Sequence, residues 1–485
     1  MKNTLFILRI FVFSLLVLPI VSCSDDDDGN GDNGGGDAQN IVEIALETDE
    51  LAILVQALQA ADGDLVNVLQ GPGPFTVLAP TNSAFTAFLA SNGFGSLEEV
   101  PTDVLAEILL NHVIAADIKS SDLASAGRGY ASTSATGAGG NNISIYFNAT
   151  AGVRFNNVSA VTDGGADIEA SNGTIHIVDA VIPLPTIASH AAANSTDFSS
   201  LVTALGAADG DLIGDLTGEG PFTVLAPDNA AFSEFLGDTP LGNVNTAVLR
   251  RILLNHVLDA ELGAVSSTEL GALGNGYVNT SVTGAGDNPM SLYFNTTDGG
   301  EFNGISTVTE ADIVGTNGII HAVDAVIDLP TVVTFATADP NFSTLESALT
   351  ELTPGVDYVE ILSRTEGSNA DGINPDYTVF APTDEAFAAL IEELGGVPEA
   401  TVLATVLNHH VITEANIASG DLMMGANTVT TLQGEDITVT LPGTGNNIAD
   451  VTDGVGNTDI GIIFVDVQAE NGVIHVVNKV MLPNL

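Results

Sequence analysis

The chain contains no tryptophan, a single cysteine and only 9 lysines and arginines among its 485 residues. With one thiol, Cys23, no disulfide can close within the chain, so stability has to come from packed cores. Without tryptophan, the strongest stacking platform for a carbohydrate is missing. The few basic residues face 62 acidic ones, for a formal net charge of −53. A chain that acidic is repelled by nucleic acid and by anionic membrane surfaces, and neither is expected as a partner. No H-x-x-x-H or H-E-x-x-H spacing occurs, so no helical zinc pair is set up. A G-x-S-x-G elbow, a P-loop and a dinucleotide fingerprint are missing too. Carboxylate pairs of the glycosidase kind are not distinguishable among so many acids. The expectation is a protein that is not an enzyme and carries no cofactor.

The first forty residues read as export and attachment. Lys2 and Arg9 flank the short apolar run IFVFSLLVLPIVS, which is too short for a comfortable spanning helix and fits a cleaved secretory peptide over residues 1–22. The tetrad Ile20-Val21-Ser22-Cys23 resembles the bacterial lipobox, so Cys23 is expected to be the lipid anchor. Residues 23–39 continue with SDDDDGNGDNGGGD, where adjacent aspartates repel and glycines loosen the backbone, giving an extended acidic, Gly-rich tether. Ser24 to Asp28 resembles the acidic surface-export tag of Bacteroidetes lipoproteins. The expected place is the cell surface, as an outer-membrane lipoprotein facing outward and touching the membrane only through its lipid. Removing the leader leaves 7 basic residues against 62 acidic ones, a charge of −55. Such a surface suits a salty medium with a Debye length of roughly 5 Å or less, and weak, diffuse binding of divalent cations. Built calcium loops are not expected. The Ala-Asp-Gly-Asp-Leu segments at 61–65 and 208–212 lack the ligand set of an EF-hand, and SNADGINPD at 368–376 reads as a surface insertion.

Beyond the tether the chain repeats itself. FTVLAPTNSAF at 75–85 returns as FTVLAPDNAAF at 222–232 and YTVFAPTDEAF at 377–387. LLNHVI at 109–114 returns as LLNHVL at 253–258 and LNHHVI at 407–412. SNGTIHIVDAVIPLP at 171–185 returns as TNGIIHAVDAVIDLP at 316–330 and ENGVIHVVNKVMLP at 470–483. The period is that of a domain and far too long for a solenoid unit. Three modules follow, over residues 40–186, 187–331 and 332–485. In the first, Leu51, Leu54, Val55 and Leu58 recur at helical spacing, and FTVLAP reads as a buried strand ended by Pro80. Thr81, like Thr383 in the third copy, is placed to cap the next helix, whose inward face is Phe85, Phe88 and Leu89. Asp384 and Glu385 sit favourably in that helix's first turn. A second helix runs into the Asn-His-Val segment, and the remainder alternates like β-structure with Gly/Asn turns.

The pairing of [FY]-T-V-[FL]-A-P-x-[DN]-x-A-F with a later N-G-x-I-H-x-[VI]-[DN]-x-V closely resembles the two signature segments of fasciclin domains, and the likeness covers residues 40–485. It implies an α+β fold of three tandem fasciclin-like domains, each a β-wedge or sandwich with several short helices. It also implies a use in extracellular adhesion and matrix interaction. Some animal members carry a Tyr-His pair, associated with integrin adhesion, where this chain has Asn111-His112, Asn255-His256 and His409-His410. The tyrosine is missing from all three copies, and integrin-type recognition is not carried over.

The two histidines of each module read as structural. Leu105, Ile108, Leu109 and His112 fall at i, i+3, i+4 and i+7, and His256 and His410 repeat the pattern, so each continues an apolar helical stripe. His176, His321 and His475 lie on strands and share their faces with Val178, Val323 and Val477. Two distant histidines per module fall short of a metal site, and a buried neutral imidazole bonded to backbone is the expected state. Tyr130, Tyr146, Tyr277 and Tyr293 remain in the β-rich halves as candidates for glycan contact, with strand packing expected for Tyr146 and Tyr293. The expected function is surface-anchored, multivalent, non-catalytic adhesion to cells, matrix or surface polymers, with extracellular proteins or polysaccharides as partners. The alternative is a lipoprotein that binds polysaccharide or a small ligand for nutrient capture. A passive acidic coat is the third reading.

Overall fold

The centre of each repeat is a parallel pair of strands. Phe75–Pro80 lies beside Gly173–Val178 with Leu78 opposite His176; Phe222–Pro227 lies beside Gly318–Val323 with Leu225 opposite His321; Tyr377–Pro382 lies beside Gly472–Val477 with Phe380 opposite His475. These elements are seen in a computed structural model that describes residues 38–297 and 299–484. The leader, Cys23 and the acidic tract lie outside the described residues. The later strand of each pair is buried on both faces, which is why its sequence (TIHIV, IIHAV, VIHVV) is apolar throughout instead of alternating.

A strand covered on both sides divides each module into two cores. In the first, Val77, Ile175 and Ile177 face the helices and pack with Phe85, Leu105 and Leu109. Leu78 and Val178 face the β-rich half and pack with Ile145, Phe147 and Phe155. The helical side is built from Ala52–Ala60, Asn82–Ser91 and Thr102–Leu110. Thr81 caps the second of these, its Oγ1 accepting from the Ala84 amide at 3.2 Å, and Thr383 does the same for Ala386 at 3.3 Å. Phe85 is buried, while Phe88 and Leu89 are half-buried. Each such cap stabilises its helix by about 1 kcal/mol. The strands of the second repeat form one six-stranded sheet and those of the third one seven-stranded sheet; the first divides its strands between two four-stranded sheets. The architecture is α+β in three tandem modules.

No linker separates the modules. Pro185 and Thr186 end the first, and Thr186 is already the N-cap of the helix Ile187–Ala193. The same contacts then serve both junctions. Ser144 Oγ accepts from the Val314 amide and Ser291 Oγ from the Gln468 amide, each at 3.0 Å. The Thr316 amide donates to Pro185 O at 2.8 Å and the Glu470 amide to Pro330 O at 2.7 Å. Tyr130 stacks between Tyr146 (5.3 Å) and His190 (5.8 Å); Tyr277 stacks between Tyr293 (5.3 Å) and Phe335 (5.6 Å). The backbones approach so closely that a Cβ on Gly284 would stand 2.1 Å from Ala469 O. Arg128 pairs with Asp197 at 2.8 Å in a largely exposed bridge that adds little, while Arg251 holds both carboxylate oxygens of Glu470 in a half-buried pair, one bond 2.6 Å long. The third repeat carries the cross-strand pair Ala426–Thr440 where the others carry Tyr130–Tyr146 and Tyr277–Tyr293, so its equivalent face has no tyrosine stack.

Tyr277→Ala removes the stack on Phe335 and the hydrogen bond from the Tyr277 hydroxyl to Asp339, 2.9 Å. It should cost about 3 kcal/mol at the second junction. Differential scanning calorimetry is then expected to resolve a separate transition for residues 332–485. An unchanged thermogram would show that the stack does not couple these modules.

Candidate functional site

The repeated histidines are the groups with chemistry to offer, and their surroundings decide what they can do. The helix Thr102–Leu110 ends at the C-cap Asn111. His112 therefore lies just past the helix, buried in phase with the stripe of Leu105, Ile108 and Leu109. A helix leaves its last carbonyls without partners. The ring folds back on one of them, its Nδ1–H donating to Ile108 O at 2.7 Å, while Nε2 accepts from the Ile182 amide at 2.9 Å. His256 joins Ile252 O (2.8 Å) to the Ile327 amide (2.8 Å), and His410 joins Val406 O (2.7 Å) to the Met481 amide (2.9 Å). Each ring thus clips a helix end to the segment that follows the module's last strand. Both nitrogens are used, the Nδ1–H tautomer is fixed, and burial pushes all three rings down to about 4.

The second histidine works in the opposite tautomer. His176 Nε2–H donates to Ile118 O at 2.9 Å and its Nδ1 accepts from the Asp167 amide at 3.2 Å. His321 bonds Val265 O and the Asp312 amide, and His475 bonds Ile417 O and the Asp466 amide. The three aspartates hold φ between 56° and 62°, a left-handed conformation, and the Asp312 carboxylate comes within 4.0 Å of His321 Nδ1. Each carboxylate accepts the amide and hydroxyl of a serine at the next helical turn: Ser120, Ser267 or Ser419, with the amide bond 2.7 Å in every copy. The residue types match a Ser-His-Asp triad, but the connections do not. The serine hydroxyl is bound to the carboxylate, and the imidazole is bound to backbone on both sides, so no base faces the serine.

Asp167, Asp312 and Asp466 with their serines are not singled out by sequence reasoning. Their signal is faint: the Asp sits nine residues before the histidine in every copy, in ADI, ADI and VDV. His190 is not singled out by its sequence either, and His409 is read there only as the residue before the repeated histidine. His190 Nε2 donates to Val314 O at 3.1 Å within the second module, and His409 Nε2 accepts from the Gly454 amide at 3.2 Å. Asn111, Asn255 and His409, the positions before the repeated histidine, are fully buried and present nothing to a partner. The tyrosines set aside for glycan contact are also occupied. Tyr146 and Tyr293 are buried, and Tyr130 and Tyr277 are spent in the two junctions.

Among the described residues, no three His, Cys, Asp or Glu side chains converge as a metal would require. Asp211 caps the helix Leu212–Thr217 through the Gly214 amide, and Asp371 is held by Arg364 and the Ile373 amide. Cys23 lies outside the described residues.

Comparison with known proteins gives a consistent relation. A family model described as the fasciclin domain matches residues 49–185, 196–330 and 340–483. Human periostin is 27% identical over 434 residues, covering 87% of this chain and 45% of its own length. The transforming growth factor-beta-induced protein ig-h3 of Sus scrofa is 27% identical over 459 residues, covering 92% of this chain and 58% of its own. The chain thus spans about half the length of these curated relatives. Among solved structures, a domain pair from the insect cell adhesion molecule fasciclin I covers 58% of this chain and 97% of itself, at 17% identity and a TM-score of 0.37.

His256→Leu leaves Ile252 O and the Ile327 amide buried without partners and should cost about 2–5 kcal/mol in denaturant unfolding. The pH dependence has a definite sign. The folded rings at His112, His190, His256 and His410 titrate near 4, against 6.5 when unfolded, so the unfolded chain takes up more protons between those values. Stability contributed by each ring is complete above pH 6.5 and is lost as pH falls toward 4, about 3 kcal/mol per ring. Carboxylates titrate in wild type and variant alike. Urea unfolding at pH 6 and pH 5 should therefore show a shallower loss in His256→Leu than in wild type, by up to about 1.4 kcal/mol per pH unit. Parallel profiles would mean that His256 is not held neutral.

Proposed function

The chain belongs to the fasciclin-domain family, and on that premise we propose that it is a non-catalytic adhesion protein that binds through three modules in series. The observation that carries this reading is the junction used twice. It holds three like modules head to tail with no linker, so that equivalent surfaces recur at a set spacing. Weak sites arranged that way reach an avidity well above any single affinity, provided the target offers repeated features. The engagement of every repeated histidine with backbone supports binding over catalysis, because it leaves these rings no proton to exchange with a substrate.

The leader, the lipid at Cys23 and the acidic tether place the modules outward at the cell surface, as an outer-membrane lipoprotein whose membrane contact is the anchor alone. The partners are extracellular proteins or polymers on neighbouring cells or matrix, with divalent cations held weakly by the acidic surface and bridging to acidic partners. Polysaccharide is met through hydrogen bonding rather than ring stacking, since the tyrosines of the first two modules are in the interior or the junctions.

Beads coated with residues 24–485 are expected to attach saturably to one class among a panel of cells, matrix proteins and polysaccharides. Attachment should weaken in chelator, and a single-module fragment should compete poorly with the whole chain. Folded protein that attaches to nothing in the panel, with and without calcium and at low and high salt, would overturn the adhesion reading.

A further inference from the structure

The three modules differ in how completely their helical cores are filled. The second contains a cavity of about 120 Å³ between the helices Ile187–Ala193, Ser195–Ala207 and Leu212–Thr217 and the strand Phe222–Pro227. The corresponding space in the third module is about 30 Å³. The residues responsible can be read off because one repeated hydrogen bond fixes the equivalence of the three modules here. The amides of Ile41, Ile187 and Val332 each bond the side-chain oxygen of the equivalent asparagine, Asn172, Asn317 or Asn471, at 3.0 Å. The next residue is therefore equivalent in all three copies. It is Val42 in the first, Val333 in the third and Ala188 in the second. Val42 and Val333 are buried in their cores, so the two methyl groups that each supplies are missing beside Ala188. The third module adds bulk besides, with Tyr358 in place of Leu212 on the lining and Tyr377 in place of Phe222 in the same core.

The first module makes the comparison sharper. Of the eighteen residues around the second module's cavity, sixteen have the same residue at the equivalent place in the first. The two that differ are Ala188 for Val42 and Asp215 for Val68, and Asp215 is exposed at the rim. Val42, buried in the first module's core, thus occupies the place that Ala188 leaves open in the second.

The chemistry of the space is one-sided. Its walls include Leu201, Leu205, Leu253, Val257 and Ile320. The one ring nitrogen pair in its lining, on His256, is engaged by Ile252 O and the Ile327 amide. A buried water needs two to four polar partners, and none is free there. An apolar cavity of about 150 Å³ stays dry and takes up benzene or xenon. We infer that the second module is a binding site for one compact apolar group, a benzene-sized ring or the end of a short alkyl chain, and that the other two modules are plugged versions of it. The exposed Asp215 and Ser281 and the half-exposed Ala188 form the rim through which the group enters.

The test uses residues 24–485, titrated calorimetrically with benzene and, in a second arm, with 1-hexanol. Wild type is expected to bind one equivalent of at least one probe, and saturating probe should raise its Tm. Benzene alone would assign the site to free ring-shaped molecules; hexanol would assign it to chain ends. Ala188→Val should abolish the binding and raise Tm without ligand, while Val42→Ala should create a second equivalent site in the first module. The gain in Val42→Ala stands even if Ala188→Val fails to fold. Uptake of neither probe by wild type, unchanged binding in Ala188→Val, or a stoichiometry that stays at one in Val42→Ala would overturn the assignment. None of these readouts depends on adhesion.

Discussion

Everything in a module hangs on the parallel pairing of its first and last long strands. Phe75–Pro80 meets Gly173–Val178 only after the whole of the intervening helices and hairpins has been laid down, and such non-local pairing closes a long loop at an entropic cost. The histidines sit where that closure is made. His176 is on the late strand itself, and the carbonyl of His112 accepts from the Leu78 amide of the early strand at 2.9 Å. One ring therefore ties the helix end to the tail of the module, and the other ties the late strand to the serine-capped turn. An imidazole suits both places because its neutral form offers one donor and one acceptor in fixed directions, and two main-chain groups that would otherwise be orphaned are met by a single side chain.

The same pairing dictates how modules join. The late strand runs directly into the segment that ends the module, and the residue after it is the N-cap of the next module's first helix. The relative placement of two modules is thus set by a few backbone atoms and not by a tether. A serine hydroxyl and a tyrosine stack fill what remains. Because the constraint is local and identical, the second junction repeats the first even though the stacked partner changes from His190 to Phe335. On the strand beside it the change is larger: Phe464 stands against Tyr277 where the first junction has Glu310.

Much of this was legible in the sequence. The repeat, the α+β class, the strand FTVLAP with its capping threonine and the inward Phe85 all follow from periodicity and local turn chemistry, because those features are decided by near neighbours. The junctions were not legible for the opposite reason. ISIYF at 143–147 looks like an ordinary strand, and whether Tyr146 meets solvent or another module depends on a surface far away in the chain. Its signal is there in retrospect. Ile143 to Phe147 is buried without alternation, which a half-exposed hairpin strand would not be. The placement of His112 is legible in phase but not in extent: the stripe i, i+3, i+4, i+7 is correct, but a helix can stop before its last in-phase residue when that residue's ring supplies the missing partner.

A lock made to the main chain is indifferent to the side chains around it, and this bears on where the three modules can differ in what they bind. The clips at His112, His256 and His410 keep their geometry within 0.1 Å at Nδ1, although the residues beside them range from Asn to His. Side-chain volume is free to drift once the backbone is held. It has done so at Val42, Ala188 and Val333, at Leu212 and Tyr358, and at the face where Tyr130 and Tyr277 give way to Ala426. Those positions sit on a scaffold that does not need them for its shape, and a change there alters a core cavity or a docking face while leaving the fold intact. The division of labour in the chain is therefore between atoms that cannot vary, which are nearly all backbone and imidazole, and side chains that can, which is where recognition has room to reside.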